Sequence, residues 1–133
     1  MENSEIQIFN NGNNPSYSSM VASSKEDKIK LLNAMENCDF VLNDVAPITI
    51  KLKDVFISQY SKEVDGESRT KHRTILFAED GKSYVTTSNY FFFALSKIFN
   101  VLGTPDKWEE PLEIEIYKRV MKNGNKSLSV KVK

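Results

Sequence analysis

The chain has 133 residues, 40% of them hydrophobic and 27% charged, the size and make-up of one soluble domain with a single modest core. No apolar run approaches the roughly 18 residues that a membrane span needs, and the N-terminus lacks the basic and apolar regions of a signal peptide. A cytoplasmic protein with no membrane partner is expected. The formal net charge is zero, from 18 basic and 18 acidic residues, which at first argues against a polyanion partner.

The distribution of that charge argues the other way. Residues 1–45 hold three lysines and seven acids, or −4, which leaves 15 bases and 11 acids, or +4, in residues 46–133. Such asymmetry is a hint of a nucleic-acid surface. The single cysteine, Cys38, can form no internal disulfide and has no Cys or His partner at ligand spacing.

Residues 1–24 are rich in Asn, Ser and Glu around Asn10-Asn-Gly-Asn-Asn-Pro, too polar to offset the entropy of ordering, and read as a flexible N-terminal arm. Ile6 and Ile8 share one face of any extended segment there, so the arm also offers a strand for self-association. Ser23 or Ser24 before Glu26 and Asp27 resembles a capping box, and Ile29, Leu32 and Met35 recur at helical spacing. A helix is predicted over 25–38, lying on the rest of the domain or on a partner. Phe40-Val-Leu then leads through Pro47 as a connector.

From Ile48 the period becomes two. Ile48, Ile50 and Leu52 share a face, the phase slips at Lys53-Asp54, and Val55 and Ile57 continue the buried face, as a β-bulge in a long curved strand would produce. Phe56, Ser58 and Tyr60 then turn outward. A polar loop is expected over 61–70 and a strand over 71–78. Ala78-Glu-Asp-Gly81 fits a three-residue hairpin loop that pairs Ala78 with Lys82. That register groups Ile75, Phe77 and Val85 inside and His72, Thr74, Leu76, Lys82, Tyr84 and Thr86 outside, while a slip of one residue would exchange Phe77 for Leu76. Thr87 or Ser88 caps a helix with an apolar stripe at Phe91, Leu95, Ile98, Phe99 and Leu102, ended by Gly103 and Pro105. Leu112, Ile114 and Ile116, then Leu128, Val130 and Val132, form two more strands around an Asn-Gly turn.

Three strands, a helix and two strands, with a long bulged first strand, is the order of the OB-fold. The sequence therefore predicts a mainly β chain: one domain over 25–133, with a five-stranded OB-fold barrel over 46–133, a helix between its third and fourth strands, and the N-terminal helix and arm outside it. In that fold the outer face of strands two and three and two flanking loops bind oligonucleotides or oligosaccharides. Here that face carries Tyr84, flanked by Tyr60 and Phe56. Lys62, Arg69, Lys71 and Arg73 lie at the first loop, Lys82 at the hairpin, and Arg119 and Lys122 at the second loop. Aromatic rings for bases and cations for phosphates are what a single strand requires. Phe56 has an alternative place beneath the N-terminal helix, and the two tyrosines suit a half-exposed strand equally well.

No His-x-x-x-His, Cys pair, Gly-x-Ser-x-Gly or phosphate loop is present, so no catalytic residue, metal, cofactor or small-molecule substrate is expected. Two functions stay open at this level: nucleic-acid binding, and a protein-interaction module that uses the same face. Phe77-Ala-Glu-Asp-Gly-Lys-Ser-Tyr-Val-Thr, Leu95-Ser-Lys-Ile-Phe and Trp108-Glu-Glu-Pro-Leu resemble the single-stranded DNA-binding proteins of phages and of conjugative or mobile plasmids of Gram-positive bacteria, over residues 46–133. The resemblance implies cooperative, sequence-non-specific coating of single-stranded DNA in replication or transfer inside the bacterial host cell. It further implies contacts from surface tyrosines, here Tyr60 and Tyr84. Cellular bacterial single-strand binders end in an acidic tail that recruits partners, whereas this sequence closes Val130-Lys-Val-Lys133, so recruitment by that route is not expected.

Overall fold

The computed structural model describes residues 7–11, 14–19 and 25–133. The described elements begin with strands β1 (Gln7–Asn11) and β2 (Asn14–Ser18), helix α1 (Lys25–Glu36), the short strand β3 (Phe40–Val41) and the single turn α2 (Leu42–Val45). Strands β4 (Ile48–Val64), β5 (Glu67–Ala78) and β6 (Ser83–Thr86) follow, then helix α3 (Asn89–Leu102), a 3-10 turn at Pro105–Lys107, β7 (Leu112–Val120) and β8 (Lys126–Val132). The chain is mainly β. Its strands join in one curled, half-barrel sheet in the order β1-β2-β4-β5-β6-β3, with β7 paired to β4 and β8 to β7.

β4 is the strand on which the others depend. Its register against β5 shifts between Leu52 and Asp54, at the bulge that the phase slip predicts, so Ile50, Leu52 and Val55 all reach the same core. Along one edge it pairs with β5. On its other edge β7 covers Ile48–Leu52 and β2 covers Phe56–Ser58. Ser19 closes the gap between these two neighbours. Its N–H donates to the Val55 carbonyl (2.9 Å), its Oγ accepts from the Val55 N–H (2.8 Å), and its hydroxyl donates to Asp54 Oδ1 (3.1 Å).

Residues 7–11 and 14–18, which the sequence places in a flexible arm, thus form a hairpin on β4. Main-chain pairing and the Ser19 hydroxyl, which a hydrophobicity argument does not register, hold it together with Tyr17, whose ring packs against the main core. Ile6, and with it the face proposed to be shared with Ile8, and the cap proposed at Ser23 or Ser24 lie outside the described residues.

The hairpin loop Ala78–Lys82 is as predicted, with Ala78 N–H donating to the Lys82 carbonyl (2.9 Å) and Leu76 opposite Tyr84. The faces, however, are reversed. Leu76 and Tyr84 enter the main core with Leu42, Leu52, Val55, Phe91, Leu95, Ile114 and Ile116. Ile75, Phe77 and Phe56 form a second cluster with Leu31 and Ala34 of α1, joined by Met35, Cys38 and Val85. The helix covers what would otherwise be an exposed apolar sheet face. Its buried residues are Leu31 and Ala34, with Met35 and, just past its end, Cys38 partly buried beside them, while Ile29 and Leu32 are exposed, so of the predicted stripe only Met35 faces the sheet.

α3 starts at Ser88, whose Oγ accepts the Phe91 N–H (3.2 Å). It ends at Gly103, with φ 84° and its N–H on the Phe99 carbonyl (2.8 Å). The Trp108 indole N–H reaches the carbonyls of Leu102 and Gly103, both at 3.1 Å, so it meets acceptors that a helix end leaves open. Phe91 and Leu95 are buried as predicted, whereas Leu102 is exposed.

Candidate functional site

Two of the three predicted stacking residues are core residues. Tyr84 is only 3% exposed, with its ring stacked on Phe40 at 5.3 Å, and burial pushes its hydroxyl pKa up. Phe56 is 4% exposed, in the cluster with Leu31 and Ala34, which is the alternative that the sequence left open for it. Neither ring offers a free face. The error is one of sides: Leu76 lies opposite Val55, and Val55 faces the main core, so Leu76 and its partner Tyr84 must face it too.

What fixes that pairing is a turn that the sequence reading takes for part of a loop. Asp65 and Gly66 both have positive φ, 52° and 79°, in a two-residue turn that places Val64 opposite Glu67. Asp-Gly in the left-handed region at both central positions is the type I′ hairpin signal, and its twist matches that of the strands it joins. The predicted loop over 61–70 is therefore the tip of a long hairpin. Beyond Ser58, β4 has β5 as its neighbour among the described residues, so residues 59–64 and 67–72 form a two-stranded ribbon about 20 Å long at about 3.3 Å per residue.

The ribbon brings together the predicted residues of the first loop. Ser58 pairs with Arg73, Tyr60 with Lys71, and Lys62 with Arg69. By strand alternation Tyr60, Arg69, Lys71 and Arg73 share one face, continuous with the face that α1 covers at Phe56 and Ile75. Tyr60, Lys71 and Arg73 are half-buried and Arg69 is exposed. Among the described residues the ion pair that forms joins Lys131 and Glu115 (3.4 Å), on β8 and β7, so none of these three cations is neutralised there. The other face presents Gln59 and His72, and the His72 ring lies flat on Phe92 of α3, with centroids 3.8 Å apart and planes 7° apart. This stack supports the ribbon from behind.

Arg119 and Lys122, the residues predicted at the second loop, line a hollow with Tyr90 of α3. Lys82 stands apart, its Nζ 5.8 Å from the centre of the Phe40 ring. Tyr117 is half-buried, with Lys131 Nζ 5.5 Å from its ring centre. The Cys38 thiol donates to the Ala34 carbonyl (3.1 Å), and burial pushes its pKa up. Among the described residues no group of three or more His, Cys, Asp or Glu side chains could hold a metal ion, and no helix is long and apolar enough to cross a membrane.

The aromatic residues that sequence reasoning missed are Phe40, Tyr90 and Phe93, exposed at 37%, 60% and 56%. For the last two the signal was present: α3 opens Asn89-Tyr-Phe-Phe-Phe, and a helix apolar around its whole circumference carries more than one core face can cover. A family model described as Phage Single-stranded DNA-binding protein matches residues 10–133. Comparison with curated proteins and with solved structures gave no match.

Proposed function

The chain belongs to the phage single-stranded DNA-binding protein family, and from that premise we propose that it coats single-stranded DNA without regard to sequence during phage replication or DNA transfer in the bacterial cytoplasm. The observation that carries the placement of the site is the ribbon and the pair at its base, where Tyr60, Arg69, Lys71 and Arg73 line one face in cross-strand register. Same-face positions recur about every 6.6 Å along each strand, the scale of one nucleotide of an extended chain. Tyr60 stacks on a base. Arg69, Lys71, Arg73 and the register position of Lys62 meet phosphates, with Arg119, Lys122 and Lys82 as further phosphate contacts on their own surfaces.

The order β4-β5-β6-α3-β7-β8, with a bulged first strand and β7 returning to β4, supports an OB-fold reading of the half-barrel. Family members bind rather than catalyse, and no cofactor is needed for stacking and charge neutralisation.

Titration with oligo-dT, followed by tyrosine quenching, tests this reading. Affinity should fall with salt at a slope near −0.7 per phosphate neutralised. Tyr60→Ala should cost about 1–3 kcal/mol of binding with little change in melting temperature. Absence of binding at low salt would overturn the proposal, and a tight protein complex together with indifference to oligo-dT would favour an interaction module. Self-association through residues 1–24 belongs to the same proposal. Its test is removal of residues 1–6, because a longer deletion would also strip β2 and Ser19 from β4; cooperativity on long DNA should drop while single-site affinity holds.

A further inference from the structure

The outward side of α3 has no role in the core. Phe91 and Leu95 fill the barrel, while Tyr90, Phe93 and Lys97 face the other way, toward the end of β7 and the turn after it. Two hollows of about 370 and 160 Å³ adjoin there and share Tyr90, Arg119 and Met121. The larger falls within the range of small-ligand sites, about 300–1,000 Å³. Lys122 lines the first; Phe93, Lys97 and the hydroxyl residues Ser127 and Ser129 line the second.

The charge of this lining is one-sided. Three cations border the two hollows, and no carboxylate does. Tyr90 and Phe93 leave more than half of their surface in solvent beside those cations. A purely apolar partner would bury the cations unpaired, at a cost that apolar contact does not offset. An anionic chain carrying flat rings matches both halves of the surface at once.

We propose that this face is a second stacking site for the same single strand, in which Tyr90 and Phe93 each take a base while Lys97, Arg119 and Lys122 meet the flanking phosphates. The inference rests on the single-strand reading above and extends it. The strand occupies the basic face of the ribbon and also the groove between α3 and the β7–β8 turn, so the occluded site is longer than the ribbon alone would hold.

The test uses the full chain and oligo-dT of increasing length, with wild type, Tyr60→Ala, the pair Tyr90→Leu with Phe93→Leu, and the pair Arg119→Gln with Lys122→Gln. The leucine pair should weaken binding of long oligo-dT about tenfold or more and bring the length at which affinity levels off closer to that of the ribbon. The glutamine pair should reduce the salt slope by about 1.4, at about 0.7 for each phosphate that is no longer neutralised. Photocrosslinking of iododeoxyuridine-substituted oligo-dT to the wild type should map to Tyr90 or Phe93, a readout that does not depend on the variants folding. Wild type that fails to bind oligo-dT would remove both readings. If wild type binds and Tyr60→Ala weakens it, while both pairs keep wild-type affinity, plateau length and slope and no crosslink falls on α3, the groove is not a DNA site and only this inference is lost.

Discussion

The two faces of β5 are both closed to water, but by different means. Leu76 is fully buried in a cluster drawn from five strands and two helices, a core that elements on every side hold in shape. Ile75 and Phe77 are nearly as inaccessible, yet what covers them is one helix, with Leu31 and Ala34 as its buried contacts, joined to β6 by a reciprocal lock between Asp39 and Ser83. In that lock the Ser83 N–H donates to Asp39 Oδ2 (2.9 Å) and the Asp39 N–H donates to Ser83 Oγ (3.1 Å). The difference teaches that equal burial does not mean equal support, because a single helix can settle over a gap whereas a surrounded core cannot.

Truncation on either side of the strand measures that contrast most directly. Leu76→Ala should cost about 4 kcal/mol and Ile75→Ala about 2, the upper and lower parts of the range for buried aliphatic truncations, by denaturant unfolding. Equal losses would mean that α1 grips the sheet as firmly as the main core grips itself.

A smaller loss is expected where the N-terminal hairpin meets the bulge. Ser19→Ala removes the acceptor of the Val55 N–H and leaves a buried donor unpaired, for about 1–3 kcal/mol. A variant as stable as wild type would show that β2 is dispensable to β4.

The smallest effect is confined to alkaline pH. Tyr17 of β2 is pushed up to about 12, first by burial, with further upward pressure from Asp106, to which its hydroxyl donates (3.3 Å). The folded chain keeps this proton between about pH 10 and 12 while the unfolded chain releases it, so stability from this group is intact below pH 10 and declines as pH rises toward 12. The raised Tyr84 and Cys38 groups act in the same direction. Tyr17→Phe should make the fall in melting temperature above pH 10 shallower; a slope identical to wild type would assign the alkaline loss elsewhere.

Much of the half-barrel sheet was legible because its signals are local. The slip at Lys53-Asp54, the cap at Ser88, the glycine at 103 and the alternation through Ile114 and Ile116 each state their own geometry. The candidate site was less legible because choosing a binding face needs one face of the hairpin to be open, and α1 closes the face opposite the core. Alternation groups Ile75 with Phe77 and Leu76 with Tyr84, as the structure does, but with both groups apolar and both buried it cannot say which faces the barrel. Asp65-Gly66 could have said so: read as a two-residue hairpin turn, it sets Leu76 against Val55 and thereby sends Tyr84 inward. The cations at the first loop were found by their proximity in sequence, and the same turn is what aligns them.

That turn has a consequence for the protein without its ligand. Holding Arg69, Lys71 and Arg73 on one side of a narrow two-stranded ribbon and its base puts like charges at neighbouring same-face positions, where they repel one another. A ribbon of this kind is marginal alone, so its amides should exchange hydrogen faster than those of β7. Added salt, with a Debye length of about 10 Å at 0.1 M, screens the repulsion. Ribbon amides in the free protein should therefore become better protected as salt rises, and protection that falls or stays flat would locate the strain elsewhere. On the proposed single-strand reading, the same ions that loosen the hold on DNA would tighten this hairpin.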